Sequence, residues 1–506
     1  MSEQALGART ERAVKWSAMT TAARFVLQLG AQVTLARLLG PGPYGIYGIG
    51  IAVLTFASFL AGTGFSYGLL LQPQVHANDI RLAFTWQLLA GSLCALAMWL
   101  CAHWVAEYFR EPGIVPMLHW LALACLLTSA SGTALCLLQR DLDFRALGLI
   151  QLAAYAAGYL AVGVPLALAG WGANALALAC VVQAAVSLCG VWWRRPHSLR
   201  PLLIHPGAGH TLATGRTVFL TNLVNWLLAN LDRLVIGRVL TTHAVGLYTL
   251  AWNLAQIPVT LLVGAVQPAF LASGAKIADE PRRLAQAWRV VLAGVLVLLL
   301  PVAVSMALIA PDLVHLMYGP QWLEAGQVLA LMFLCLPAWA SWGLSTPVLW
   351  NTGRKELEAR LQWPLLLPVV AAWWLMAPYG LLWAAGVSLL AIHARAILTV
   401  RAGLRALDQR WAHLLPLLAR GALLSAACGG ATLVAQAGVT LLALPPVPAA
   451  ALSVTTGATA ALATGLMLAW TLPALLGKEA RQTLARLLPF MRPAPPPTSP
   501  LTPRQS

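Results

Sequence analysis

Five ionisable side chains of this 506-residue chain stand inside long apolar runs: Arg24, Asp232, Arg233, His393 and Arg395. Charge is costly in such places, so it marks either function or a specific packing need. Three of the five are arginines, whose planar fork of donors suits oxyanions. Cations outnumber anions among them. Amides accompany them: Gln28 and Gln32 beside Arg24, then Asn222, Asn225 and Asn230 ahead of Asp232, then Asn253 and Gln256. Gln28 and Gln32 are four residues apart and Asn222 and Asn225 three, so each pair shares one helix face. The candidate binding residues are therefore Arg24, Gln28, Gln32, Asn222, Asn225, Asn253, Gln256 and Arg395. Amides on such faces also serve as interhelical donors and acceptors. Asp232 and Arg233 are consecutive and point ~100° apart, so each needs a partner from another element. With Arg37 and Arg238 they form a candidate gate or set of ion pairs. His393 reads as a helix-packing donor.

The elements that must position these groups are plain in the composition. Hydrophobic residues make up 59% of the chain and charged ones 9%. The apolar runs are about 20 residues long, the length that crosses a bilayer as a helix. They fall near 16–38, 45–71, 82–106, 115–137, 147–169, 172–192, 214–237, 245–273, 288–310, 325–350, 361–378, 380–400, 414–436 and 447–474. The fold expected is an all-α polytopic membrane protein of about 14 transmembrane helices. Span 1 is the weakest by apolarity, because it carries Arg24, Gln28 and Gln32. The N-terminus lacks the compact apolar core of a signal peptide.

Lys and Arg alternate with the spans. Most of the 32 fall on one side: Arg9, Arg12 and Lys15, the 194–216 and 276–289 loops, and the tail from Lys478. The positive-inside rule then places both termini in the cytoplasm. The net charge of +16 follows from this topology and from attraction to anionic lipid, so nucleic acid is not needed to explain it. The eight cysteines lie in predicted spans without metal-ligand spacing and read as packing residues. No cofactor, metal site or catalytic motif is expected. Residues 477–490 have the pattern of a basic amphipathic helix, followed by a Pro-rich end.

Two segments match without gaps. ARLLGPGPYGIYGIG begins at Ala36 and GRVLTTHAVGLYTLA at Gly237. Arg37, Leu39, Gly45 and Tyr47 align with Arg238, Leu240, Gly246 and Tyr248. Each segment ends one span, turns and starts the next. Duplication of a six-helix unit accounts for this, and a unit with an even number of spans repeats in parallel. The expected organisation is an N-terminal six-helix lobe (1–192), a cytoplasmic linker (193–213) and a C-terminal six-helix lobe (214–404). Two additional helices (405–474) and a cytoplasmic basic tail (475–506) follow. Two pseudo-symmetric lobes suit alternating access. Kinks are expected at Gly62 and Gly64 in span 2 and at Pro258, Gly264 and Pro268 in span 8.

The same segments carry a family resemblance. LGPGPYGIYGI (39–49), LDRLVIGRVL (231–240), VGLYTLAWNLAQIPV (245–259), LVHLMYGPQW (313–322) and QRDLDFRALGLIQ (139–151) resemble the polysaccharide transporter branch of the multidrug/oligosaccharidyl-lipid/polysaccharide exporter superfamily. The chain is most similar to its lipopolysaccharide and exopolysaccharide repeat-unit flippases. The resemblance implies a V-shaped, two-lobed fold. It also implies transfer of an undecaprenyl-diphosphate-linked oligosaccharide across the bacterial cytoplasmic membrane. The lipid-linked oligosaccharide and membrane lipids are then partners, and the polymerase and glycosyltransferases of the same pathway are candidate ones. On that reading the arginines would lower the cost of moving a diphosphate through a low-dielectric slab, and the amides would meet sugar hydroxyls. A peptidoglycan lipid-precursor flippase would need the same cations. A drug or metabolite antiporter of the superfamily fits less well, because cationic cargo calls for acids and Asp232 is the one clear acid inside a span. A membrane glycosyltransferase or ligase is disfavoured by the absence of a large acidic or metal-binding loop.

Overall fold

The computed structural model describes residues 3–62, 69, 75–203 and 208–472, with some side chains near the chain start and in 208–224 left out. Within them the backbone is a succession of helices. α1 is Glu3–Leu39, α2 Pro41–Gly62, α3 Ala77–Phe109, α4 Ile114–Arg140, α5 Phe144–Leu168 and α6 Ala173–Arg194. α7 is Ala208–Val239, α8 Thr242–Ala275, α9 Pro281–Tyr318, and α10 the bent pair Pro320–Leu334 and Leu336–Asn351. α11 is Glu356–Tyr379, α12 Leu381–Ala406, α13 Trp411–Thr440 and α14 Pro446–Thr471. Uncharged runs of this length form helices in a membrane because every backbone N–H and C=O must bond within the segment.

A helix stands at each expected span, and the chain is a multi-pass membrane protein. Among the described residues, 11 helices are long and apolar enough to cross a bilayer, or 12 with the bent pair α10. α1 and α7 are the two that do not reach that apolarity. Their polar stripes are the reason, so the expected count of 14 exceeds what apolarity alone supports. Of the expected kink sites in α8, Pro258 and Pro268 both lie inside the helix. Gly64 and the 475–506 tail lie outside the described residues.

The chain divides into two compact units. The first is Met1–Leu254, Ala310–Met332 and Glu358–Ala391; the second is Ala255–Ile309, Phe333–Leu357 and Ile392–Ser506. The dividing lines fall inside α8, α9, α10, α11 and α12.

In the first unit, α1 packs on α5, α2 on α3 and α4, α4 on α6 and α5 on α6. Gly40, at φ 73°, takes the left-handed turn that joins α1 to α2. Asp141 and Asp143 tie the α4–α5 turn to the end of α6 through Arg195 (2.9 Å) and Arg194 (2.8 Å). The repeat-equivalent glycines meet each other. A Cβ at Gly45 would collide with the Thr242 carbonyl and the Gly246 nitrogen. One at Gly246 would collide with the Pro41 carbonyl and the Gly45 nitrogen. Pro41 and Thr242 are themselves repeat equivalents, so the contact is reciprocal about a local two-fold axis. In the second unit, Trp288, fully buried, sits among Phe270, Leu284, Leu292, Val348, Leu404 and Leu424.

Candidate functional site

α1 and α5 approach where Gly148 leaves room for Thr20. One turn along, Arg24 Nη1 donates to Gln151 Oε1 at 2.6 Å. The guanidinium is thus held by a neutral amide, which orients it without cancelling its charge. Gln28 is half-buried one turn further along α1, and Gln32 one turn beyond that.

Gln32 leads into a second polar group. The buried Tyr44 hydroxyl interacts with the side chains of Gln32 and Asn253, with Arg233 close enough to act on it electrostatically. Arg233 Nη1 donates to Asn230 Oδ1 at 3.1 Å, and its guanidinium lies 5.5 Å from the Trp252 ring centroid. Ring edges complete this wall: Tyr44 meets Trp322 at 5.5 Å and Tyr318 meets Trp322 at 6.1 Å.

Asp232 points elsewhere, as its spacing requires. It is fully buried and accepts from the Tyr248 hydroxyl at 2.6 Å and from the Arg233 backbone N–H at 2.7 Å. Tyr248 also bonds Ser388 Oγ at 2.8 Å, and Trp373 Nε1 donates to the same oxygen at 3.0 Å.

Arg37 and Arg238 differ from the expected ion pairs with Asp232. Arg37 donates to the Met317 and Leu316 carbonyls at 2.6 and 2.5 Å, while Gln321 returns a bond to the Arg37 carbonyl at 2.9 Å. Arg238 donates to the Tyr108 carbonyl at 2.9 Å with its guanidinium 5.3 Å from that ring centroid. Each arginine therefore closes the end of α9 or α3, where helix carbonyls lack an intrahelical donor. Acid was not needed because main-chain oxygens at a helix end already attract cations.

Of the other candidates, Asn225 is half-buried on α7, Asn253 is exposed on α8, and the Asn222 side chain lies outside the described residues. Gln256 and Arg395 belong to the second unit. There the Arg395 guanidinium lies 3.6 Å over the Trp342 ring centroid, a close cation–π contact. Among the described residues, no three His, Cys, Asp or Glu are grouped to hold a metal.

Sequence reasoning missed the tyrosines. Tyr47 shares a 2.6 Å hydroxyl contact with Tyr159, and Tyr159 stacks on Tyr155 at 4.5 Å. Residues 156–163 wind as a π-helix, a wider turn that carries Tyr159. The repeat had marked Tyr47 and Tyr248, but nothing local separates a hydroxyl in a network from a packing ring.

Comparison with known proteins adds an independent line. The lipopolysaccharide biosynthesis protein WzxC of Escherichia coli K12 is 23% identical over 338 residues, covering 64% of this chain and 66% of that protein. The succinoglycan biosynthesis transport protein ExoT of Rhizobium meliloti is 25% identical over 339 residues, 66% of this chain and 67% of that one. The chain thus spans about two thirds of the length of these curated relatives. In fold it is similar to a lipid II flippase, MurJ, in an inward closed conformation. The TM-score is 0.70 at 13% identity, over 90% of this chain and 99% of that one. It is also similar to an inward-facing multidrug resistance MATE family transporter, with a TM-score of 0.59 at 13% identity, over 75% of this chain and 93% of that one. The family described as polysaccharide biosynthesis protein matches residues 34–327, more than half of the 506, and spans both copies of the repeated turn; the chain belongs to that family.

Proposed function

We propose that the protein is a flippase, not an enzyme. It moves undecaprenyl-diphosphate-linked oligosaccharide repeat units across the bacterial cytoplasmic membrane by alternating access, for cell-surface polysaccharide biosynthesis. The observation that carries this reading is the pair of cations, Arg24 and Arg233, whose guanidiniums hydrogen-bond amide oxygens. A guanidinium held by an amide keeps its charge for an incoming anion and loses little mobility in doing so. The relatives, named for lipopolysaccharide and succinoglycan biosynthesis, support the same class of cargo. Both termini and the 194–216 and 276–289 loops face the cytoplasm, as the Lys and Arg distribution supports. The pathway's polymerase and glycosyltransferases are the proposed partner enzymes. The 1–192 and 214–404 segments act as the two moving lobes.

The chemistry follows from the cost of charge. A diphosphate entering a low-dielectric slab must exchange water for donors already in place. Arg24 supplies a planar fork, and the Gln28 and Gln32 amides along the same helix suit the sugar hydroxyls that follow. Arg395, over Trp342, offers a cation and an aromatic face in the second unit.

In a strain whose glycan export depends on this protein, Arg24→Ala is expected to abolish surface polysaccharide at near-normal membrane abundance. Lipid-linked repeat units then accumulate on the inner leaflet. Arg24→Lys restores export only in part, because Lys keeps the charge and loses the fork. Normal export by a well-expressed Arg24→Ala protein would remove Arg24 from the cargo site. Cysteine labelling with an impermeant reagent at Ala278, in a Cys-free background, tests the orientation: labelling from outside intact cells reverses it.

A further inference from the structure

Two positions of the repeat hold an arginine in one copy and an amide in the other. At the spacing that pairs Arg37 with Arg238, Arg24 stands opposite Asn225 and Gln32 opposite Arg233. The two positions are two helical turns apart, about 12 Å along the axis. Each copy has kept one cation, and the two cations occupy different depths. Arg24 is far from the end marked by Arg37 and Arg238, and Arg233 is near it.

Around Gln32 and Arg233 the donors exceed the acceptors. Arg233 Nε and the Tyr318 hydroxyl are buried without a partner, and Gln32 Nε2 has only the Tyr44 hydroxyl beside it. Arg233 is only 8% exposed. The adjacent carboxylate, Asp232, feels the Arg233 charge, but its oxygens are taken by Tyr248 and by main chain. A buried donor left unpaired costs stability, and a charged one costs more. Two such donors and the Gln32 amide along one wall, linked through Tyr44, Trp322 and the exposed Asn253, describe a surface short of acceptors. A ligand bearing anionic oxygens supplies them.

The geometry points to a second anion station at Arg233, Gln32 and Tyr318, which receives phosphoryl oxygens of the carrier diphosphate after they leave Arg24. This rests on the flippase reading and adds to it an order of contact across the membrane. The carboxylate of an acidic sugar has the same oxygens, so the source must be separated by experiment.

The purified full chain in detergent micelles is titrated with farnesyl diphosphate, with farnesol and with glucuronate. Farnesyl diphosphate is expected to bind wild type, Arg233→Gln to weaken it about tenfold or more, and farnesol binding to stay unchanged. The double variant Gln32→Arg with Arg233→Gln moves the cation to the equivalent position of the other copy. It is expected to recover most of the lost affinity, which a packing role on Trp252 does not predict. Wild type that ignores farnesyl diphosphate overturns the flippase reading and the station together. Wild type that binds it while Arg233→Gln binds equally well, or a double variant no better than Arg233→Gln, overturns the station alone. Glucuronate binding that depends on Arg233, with farnesyl diphosphate binding that does not, assigns the station to the glycan and overturns the phosphoryl assignment.

Discussion

The two copies of the repeated turn have kept their backbone and changed their interiors. At the turn itself the copies behave alike. Gly45 and Gly246 press against each other's chain, and Arg37 and Arg238 each close a helix end through main-chain carbonyls. Two residues further along each helix, the equivalent tyrosines have parted. Tyr47 meets a neutral hydroxyl, Tyr159, whereas Tyr248 meets a buried carboxylate, Asp232. The equivalent of Asp232 in the first copy is Ala31, so the acid belongs to one copy only. Contacts made about a two-fold axis constrain both copies at once, because a change in one strikes its own equivalent. Interior side chains carry no such constraint and are free to specialise.

The largest test of that contrast is at the glycines. Gly45→Val and Gly246→Val each drive a side chain into backbone, and each is expected to cost about 3 kcal/mol or more. Thermal unfolding in micelles, with membrane abundance beside it, should show losses of similar size. A tolerated change at one position and not at the other would break the reciprocity.

Next come the tyrosines. Tyr248→Phe strips a hydrogen bond from a buried carboxylate and should cost about 1.5–3 kcal/mol. Tyr47→Phe removes a neutral bond and should cost about 0.5–1.5 kcal/mol. Equal losses by the same unfolding measurement would deny that the interiors have diverged.

Smaller again are the arginines at the helix ends. Arg37 reaches two carbonyls and Arg238 one, so Arg37→Ala should destabilise more than Arg238→Ala, both on the order of 1 kcal/mol. The reverse order would show that the Tyr108 ring, not the carbonyl count, sets the strength of the contact.

The smallest effect lies outside the repeat, in the segment after α6. His197 packs against Phe84 at 4.8 Å and Trp192 at 5.1 Å. Burial, with the Arg195 charge adding to it, holds its pKa below the ordinary 6.5, against a bond to the Ser198 carbonyl. The unfolded chain therefore takes up the proton first, and stability falls as pH drops below about 6.5 until the folded ring also charges. His197→Phe should flatten that portion of the stability profile. An unchanged profile would remove His197 as its source.

Much of the fold was legible, and for a simple reason. Apolar runs of membrane length have few options but a helix, so α2 to α6 and α8 to α14 follow the hydropathy directly. α1 and α7 needed the repeat as well, since Arg24, Gln28 and Gln32 dilute the apolarity of α1. The candidate site was legible by residue type more than by contact. Arg24 stood out because charge inside a span is rare, but its partner Gln151 is 127 residues away and nothing local names it. Arg37 and Arg238 were read as ion-pair candidates because sequence displays side-chain acids and hides the carbonyls at helix ends.

The sequence by itself determined the helices, the alternation of basic loops and the existence of two copies, because each depends on local composition or on a fixed spacing. Only the tertiary structure decided that the two copies touch at their glycines, and that Asp232 turns to Tyr248 while Arg233 turns toward Asn230, Trp252 and Tyr44. Helical periodicity fixes the direction in which a side chain leaves its helix. What it meets there depends on how neighbouring helices pack, and packing is a property of shapes brought together from distant parts of the chain.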